Sequence, residues 1–202
     1  YQNLVEGFDS RITQNENMIE KTTIIFDNIA DMQQFENLKP NTYAATNGYY
    51  ASGDGGCGFY YITDDTPYVT NNIDVINCLE NMTAILLTDA VVNAASFGCI
   101  GNNATEQRIN RALEVAQNLN KKIIFPVSFN TNSSIIVDSN VNVEISKTLE
   151  YTGNDAAIIF DDCEFSTVKA NKIIAESGIG VKFYQHDSNT NIKYCTLDCL
   201  YI

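Results

Sequence analysis

Three acidic side chains stand close together in the second half of the sequence: Asp161, Asp162 and Glu164. Cleavage of a glycosidic bond uses two carboxylates about 5–10 Å apart, one of which acts as an acid. Carboxylates also bind calcium beside a catalytic base, which is what a lyase acting on a sugar chain needs. A solvated turn explains the same residues more simply, so we assign no catalytic residue and keep the three as candidates.

Other side chains that could carry chemistry are few. His186 is the only histidine, which removes most zinc sites and any Ser-His-Asp triad that does not use it. With Asp187 it is expected to lie on a surface loop. The six cysteines show no C-x-x-C pair and no zinc spacing, so we expect free, partly buried thiols in a reducing compartment. We therefore predict no metal and no cofactor.

Charge and composition limit the partners. The 202 residues are 45% hydrophobic and include 25 acidic and 12 basic side chains, for a net charge of -13. Nucleic acid and anionic membranes repel such a surface, so neither is expected as a partner. No apolar run approaches the roughly 18–20 residues of a membrane helix. The start at Tyr1, without a signal-peptide pattern, and the apolar end at Ile202 suggest a piece of a longer protein.

Residues 1–23 are predicted to form a helix. Apolar residues recur at alternating spacings of three and four, as in the a and d positions of a coiled coil. Asn15 lies in this seam, where a buried polar residue commonly fixes the oligomeric state. So short a helix is not stable alone. An ordinary amphipathic helix on a globular surface is the alternative. The seam residues are Val5, Phe8, Ile12, Asn15 and Ile19.

Residues 24–92 are predicted to form a small module of short strands with one helix. The glycine-rich segment 53–58 separates two aromatic strand-like runs, a pattern typical of a hairpin. We exclude a phosphate-binding loop because no Lys-Ser or Lys-Thr follows the glycines and the next segment is strand-like. The glycines are expected to supply positive φ angles and close backbone approach. The predicted elements are a helix at Phe26–Phe35 and strands at Tyr43–Tyr50, Phe59–Ile62, Ile73–Ile76 and Ala84–Leu87.

Residues 93–202 combine one helix with a series of short β runs. A helix is predicted over 105–119, capped by Thr105 or by a capping box of Asn103 and Glu106. Beyond it, apolar runs recur about every 23 residues, with three short strands per repeat. This spacing predicts stacked rungs of a β-solenoid closed at one end by the helix. A β-sandwich is the alternative. The predicted stacks are Ile135 with Ile158 and Val181, Val143 with Phe165 or Val168, and Leu149 with Ile173.

The start of this region resembles the opening segment of pectate-lyase-like β-helix proteins. The matching residues are Phe97-Gly98, the run 101–106, and Ile123-Ile124-Phe125-Pro126 after the helix. Some positions depart from the usual pattern, with Ser96, Asn102 and Asn103 in place of Asp, Asp and Gly, Glu106 and Gln107 in place of Asp-Asp, and Ser128 in place of Gly. These changes keep the turn and cap roles. The resemblance implies a mainly β chain with a right-handed parallel β-helix over 93–202.

The module at 24–92 resembles the head part of phage tail spikes and neck appendages. The residues that carry this resemblance are Ala30-Asp31-Met32, Leu38-Lys39-Pro40, the run 46–50, and the run 53–58 followed by Tyr60 and Ile62. It implies a homotrimeric virion protein made in the host cytoplasm, with the seam of the 1–23 helix as the trimer interface.

The same resemblance implies what the two ends of such a protein contact. The head would dock on tail or collar proteins, and the β-helix would bind a host cell-surface polysaccharide. A polysaccharide-degrading hydrolase or lyase, with its active site mostly downstream, is the alternative, and a bacterial surface adhesin is a third possibility.

Overall fold

The computed structural model describes residues 23–65, 68–176, 178–185 and 192–201. The seam residues Val5, Phe8, Ile12, Asn15 and Ile19 therefore lie outside the described residues. The helices are α1 (Ile29–Gln33) and α2 (Glu106–Asn118), with 3-10 turns at Leu79–Asn81 and Ala94–Phe97. The strands are β1 (Thr23–Phe26), β2 (Thr42–Thr46), β3 (Gly58–Thr63), β4 (Val75–Asn77), β5 (Thr83–Leu87), β6 (Val91–Asn93), β7 (Lys122–Phe125), β8 (Phe129–Thr131), β9 (Ile135–Val137), β10 (Asn142–Tyr151), β11 (Ala156–Asp161), β12 (Thr167–Ala175), β13 (Ile179–Tyr184) and β14 (Thr196–Tyr201).

The first five strands form one sheet, in the order β1-β2-β3-β5-β4, which we call the head sheet. The predicted hairpin is confirmed, because β2 and β3 pair antiparallel with Thr46 opposite Gly58. The aromatic rings of Tyr43 and Phe59 stack across this pair at 5.4 Å. Such cross-strand aromatic pairs help to fix the register of a hairpin.

The prediction of a helix at Phe26–Phe35 is wrong for its first part. Residues 23–26 form strand β1, which pairs parallel with β2, and the helix begins only at Ile29. β-branched Thr23, Ile24 and Ile25 favour a strand, and Asn28 then caps α1 by accepting a hydrogen bond from the Asp31 N–H. The strand also shows that the predicted N-terminal helix does not extend through Thr23.

The glycine-rich loop between β2 and β3 is a compact turn built around Asp54. Its carboxylate accepts backbone N–H groups from Tyr49, Tyr50, Ala51 and Gly56 at 2.7–3.0 Å. Gly53 and Gly55 have φ values of 81° and 91°, in the left-handed region that favours glycine. A Cβ at Gly56 would lie 2.5 Å from the Ala95 carbonyl oxygen. The predicted structural role of the glycines is therefore confirmed.

From β6 onward the described strands pair only in parallel, which excludes the β-sandwich alternative. The first rung consists of β7, β8 and β9, and in the next rungs the first two strands merge into β10 and β12. β10 pairs with both β7 and β8, and a register shift between Ile145 and Thr148 marks the corner between its two arms. The chain therefore folds as a parallel β-helix.

The predicted repeat of about 23 residues agrees with the register in which neighbouring rungs pair. Ile158 pairs with Ile135 on one side and with Val181 on the other, a step of 23 residues each time. Leu149 pairs with Ile173, as expected, and Val143 pairs with Val168 rather than with Phe165. Phe165 instead lies at a rung corner with a φ of 57°. Aligned aliphatic residues fill the interior of the helix because each rung buries its apolar side only by stacking.

Helix α2 covers the first rung and buries Ile109, Ala112, Leu113 and Ala116, as its spacing predicts. The predicted apolar residue Leu119 is 47% exposed, because it lies at the C-cap, one residue beyond the helix. Thr105 is the N-cap residue, as predicted, but its side chain makes no capping hydrogen bond. Among the described residues, neither helix is long and apolar enough to cross a membrane.

Two arginines of α2 join the head sheet region to the β-helix. Arg108 donates to the Tyr49 hydroxyl at 2.6 Å and to the Phe97 carbonyl at 2.9 Å, and its guanidinium lies 5.0 Å from the Tyr49 ring centre. Arg111 makes a two-pronged ion pair with Asp74. These contacts hold the head module against the capped end of the β-helix.

Candidate functional site

The sequence-predicted acidic residues lie at the turn between β11 and β12, as their position after the strand suggests. Asp161 ends β11, and Asp162 follows in the left-handed region with a φ of 42°. Glu164 forms a parallel bridge with Lys193 of the next rung, and their side chains approach to 3.7 Å. The structure thus spreads the three carboxylates around one corner of the rung.

A fourth carboxylate, which the sequence analysis missed, joins this corner. Val137 pairs with Phe160, so Asp138 and Asp161 directly follow the last paired residues of two adjacent rungs, whose backbones are about 4.8 Å apart. Partial desolvation and the charge of Asp161 raise the pKa of the Asp138 carboxyl above its ordinary value. The two residues are 23 positions apart, so only the rung register brings them together. We call Asp138, Asp161, Asp162 and Glu164 the acidic corner.

The backbone of the acidic corner is held by two serines. Buried Ser166 donates to the Asp138 carbonyl at 2.6 Å and accepts the Val141 N–H at 3.2 Å. Ser139 accepts the Glu164 N–H at 3.0 Å. These bonds tie successive rungs together at the turn, so the carboxylates have a fixed backbone frame, which a catalytic or binding site requires.

The acidic corner can in principle perform one kind of chemistry. A carboxyl with a raised pKa beside a second carboxylate is the arrangement that gives a proton donor and a charged partner. Glycosidases use two carboxylates about 5–10 Å apart, a range that side chains on adjacent rungs can reach. No group of three or more metal-ligating side chains in the described part of the chain is arranged to hold an ion, so the calcium interpretation gains no support there. His186 and Asp187 lie outside the described residues.

A second surface lies on the outer face of β10, β12 and β14. Glu144, Lys169 and Asp198 stand in register on three neighbouring strands and alternate in charge. Lys122 of the first rung forms an ion pair with Glu144 and extends the alternation. The surface encloses a groove of about 490 Å³, which we call the sheet groove. Its walls are formed by Glu144, Ile145, Ser146, Lys169, Ala170, Asn171, Asp198 and Leu200.

The electrostatics of the sheet groove favour binding over proton transfer. Hydrogen bonds from Lys122 and Ser146 lower the pKa of the Glu144 carboxyl, so this group stays ionised and is a poor general acid. Glu144 and Asp198 are two strands apart, about 10 Å along the sheet, and Lys169 lies in register on the strand between them. Ionised and amide side chains in an open groove provide hydrogen bonds for hydroxyl-rich ligands.

A third surface, the polar cleft, lies beside the start of α2 and has a volume of about 480 Å³. Amides and hydroxyls dominate its walls, and Asn130 donates to Asn102 across it at 2.8 Å. No motif predicts this cleft, because its residues come from three separate segments of the chain. The lining residues are Asn102, Ala104, Thr105, Glu106, Asn130, Thr131, Asn132, Ser133 and Thr152.

Sequence comparison finds no relative for this chain: no protein-family profile and no curated protein matches it. Structure comparison does find similar folds. The tailspike protein gp49 of Acinetobacter baumannii bacteriophage Fri1, a capsular polysaccharide depolymerase, matches with a TM-score of 0.65 at 11% identity. The match covers 87% of this chain and 42% of the tailspike.

Two further tailspikes are similar. That of Acinetobacter phage vB_ApiP_P1 gives a TM-score of 0.62 at 14% identity, over 88% of this chain and 38% of the other. The enzymatically active domain of bacteriophage CBA120 tailspike protein 2 gives 0.54 at 16% identity, over 97% of this chain and 29% of the other. The structural neighbours are thus phage tailspike proteins, and this chain spans less than half of their length.

Proposed function

We propose that this chain is the N-terminal part of a trimeric phage tail spike or appendage, which docks on the virion and carries a β-helix that binds host glycans. The observation that carries the proposal is the joint match of the head sheet and the parallel β-helix. The matches to tailspikes cover 87–97% of this chain, so each must include residues of both the head sheet and the β-helix. A free β-helix enzyme would share the second part alone.

The division of labour follows the order of the chain. In this proposal the residues before β1 form the coiled coil of the trimer, the module up to residue 92 docks on tail or collar proteins, and residues 93–202 begin the glycan-binding β-helix. The heptad spacing of Val5, Ile12 and Ile19 supports the first assignment, since a and d positions repeat every seven residues. The arginine contacts of α2 support rigid coupling between the docking and binding parts.

The ligand is a surface polysaccharide that is neutral or weakly charged. A net charge of -13 repels strongly anionic polymers, whereas amides and hydroxyls in the polar cleft and sheet groove suit sugar hydroxyls. The test measures binding of the chain to immobilised bacterial capsular polysaccharides, with a polyanionic glycosaminoglycan as the control surface. Saturable binding to at least one capsule supports the proposal. Equal binding to the polyanion, or to no capsule, contradicts it.

The alternative function is cleavage of the polysaccharide, and the Asp138–Asp161 pair is the observation that favours it. The test compares Asp161→Asn with Asp155→Asn, because Asp155 lies near the other end of β11 in an exposed ion pair with Lys182. Hydrolysis releases reducing ends and a lyase releases unsaturated ends, so product analysis separates the two. A hydrolytic site at the acidic corner requires loss of reducing ends in the first variant and not in the second. Absence of either product with every polymer rejects the alternative.

A further inference from the structure

Two cysteine thiols from adjacent rungs meet next to the acidic corner. The Sγ atoms of Cys163 and Cys195 are 3.2 Å apart, and the Cys195 thiol also lies 3.2 Å from the Cys163 carbonyl oxygen. The two residues are 32 positions apart in the chain. Their spacing in the sequence does not indicate a pair, so the sequence analysis predicts two separate free thiols.

The other described thiols are engaged elsewhere. The Cys78 thiol is directed at the Ile76 carbonyl within the head sheet, and the Cys199 thiol at the Tyr201 carbonyl. Cys57 is exposed on the glycine-rich turn, and Cys99 is buried. The contact between Cys163 and Cys195 is therefore specific to the turns that follow β11 and precede β14. The neighbouring parallel bridge of Glu164 with Lys193 holds these two turns side by side.

We propose that Cys163 and Cys195 are an oxidative cross-linking site, which forms a rung-to-rung disulfide when the protein leaves a reducing compartment and meets a small-molecule disulfide such as oxidised glutathione. A disulfide bond is about 2.05 Å long, so the two sulfurs need to approach by only about 1 Å. Rotation about the two Cα–Cβ bonds supplies a movement of this size. The inference concerns this thiol pair alone and does not depend on the proposed function.

The reaction proceeds by two exchanges. Cys195 is the more exposed thiol, so its thiolate attacks oxidised glutathione, forms a mixed disulfide and releases one reduced glutathione. The Cys163 thiolate then attacks the Cys195 sulfur, forms the protein disulfide and releases the second glutathione. Each thiol gives up one proton to solvent or to the departing thiolate. The two protein thiols are oxidised and one glutathione disulfide is reduced.

Burial makes the second exchange slow, and proximity offsets this. Desolvation raises the pKa of Cys163 to about 12, so little thiolate is present at neutral pH. A reacting group held in contact with its target gains a large effective concentration, however, which compensates for low intrinsic reactivity. We therefore expect cross-linking over minutes to hours, the usual range for disulfide exchange.

The product would fasten the turn after β11 to the start of β14. Closing a loop of 32 residues removes entropy from the unfolded chain. For a chain of this size, the corresponding rise in melting temperature is roughly 5–15 °C. The cross-link would thus stabilise the rungs that follow the capped end of the β-helix.

The test uses the whole chain with Cys57→Ser and Cys199→Ser, which removes the exposed thiol and the one that shares a tryptic peptide with Cys195. After incubation with oxidised glutathione, we expect an intact mass about 2 Da lower and a linked peptide pair containing Cys163 and Cys195. The added Cys195→Ser variant should show neither change, nor the rise in melting temperature. Circular dichroism before oxidation checks that both proteins are folded.

Three results would overturn the inference. The first is that both thiols stay open to alkylation after prolonged oxidation and unfolding of the sample. The second is a stable glutathione adduct on Cys195 that never resolves to the protein disulfide. The third is linkage that forms only when the protein is oxidised in denaturant, because folded contact would then play no part.

Discussion

The ion pair between Arg111 and Asp74 offers the sharpest test of how the head module is attached. The guanidinium donates to both carboxylate oxygens, at 2.9 and 2.8 Å, and Asn71 donates to the same carboxylate at 2.7 Å. The Asp74 side chain is 10% exposed and the Arg111 side chain 29% exposed. Asp74 belongs to the loop before β4 and Arg111 to α2, so the ion pair joins the head module to the helix that caps the β-helix.

The expected magnitude follows from this burial. Breaking a fully buried pair by removing one partner costs about 3–5 kcal/mol, whereas an exposed pair contributes at most about 1 kcal/mol. One partner here is buried and the other is partly solvated. We therefore expect Arg111→Met to lower the free energy of unfolding by about 2–3 kcal/mol, because it leaves the Asp74 carboxylate buried without its main partner.

The assay is urea denaturation of a double-mutant cycle. The cycle combines Arg111→Met with Asp74→Asn, and we expect a coupling energy of about 1–2 kcal/mol. The matched control is Glu114→Gln, which removes an ion pair to the same arginine from a side chain that is 56% exposed. It should cost less than about 0.5 kcal/mol. A coupling energy near zero, or a control effect as large as that of Arg111→Met, would refute the reasoning.

The remaining predictions concern the turn, the rung interior and the groove. Burial opposes ionisation of Asp54, but its backbone N–H donors hold the pKa below the usual range, so its stabilisation is present above about pH 4 and is lost as the pH falls through the folded value. Asp54→Asn should therefore cost about 2 kcal/mol at pH 7 and progressively less in acid, measured by denaturation across pH. Ile158→Ala should cost about 2–4 kcal/mol in the same assay, since Ile158 is fully buried between two rungs. Glu144→Gln should alter polysaccharide affinity several-fold without a change in melting temperature, because its ion pair with Lys122 is solvent-exposed.

The β-helix could be predicted because its physical signal is repeated. Each rung contributes an aliphatic residue at the same place, so the match of Ile135, Ile158 and Val181 shows in the sequence as a period. The pairing at the rung corner is harder to predict, because Phe165 takes a left-handed conformation that bulky residues rarely adopt. Spacing alone allows either Phe165 or Val168 to pair with Val143. In the structure Val168 is the partner, because Phe165 lies in the turn.

The head module and the site depend on contacts that sequence does not show. The two predicted helices, over 1–23 and 26–35, overlap only the end residues of strand β1, and the parallel pairing of β1 with β2 fixes where each helix cannot extend. Asp138 and Asp161 are 23 positions apart in the sequence, and only the register between their two rungs brings them close together. The contact between Cys163 and Cys195 has the same origin.

The central claim is a trimeric spike, and the solution mass of the 202-residue chain tests it most directly. Light scattering after size exclusion should give three times 22.4 kDa, and Ile12→Asp with Ile19→Asp should reduce it to a single chain without loss of β-structure. A mass of 22.4 kDa for the unaltered chain, independent of concentration, would contradict the trimer seam that runs from Val5 to Ile19.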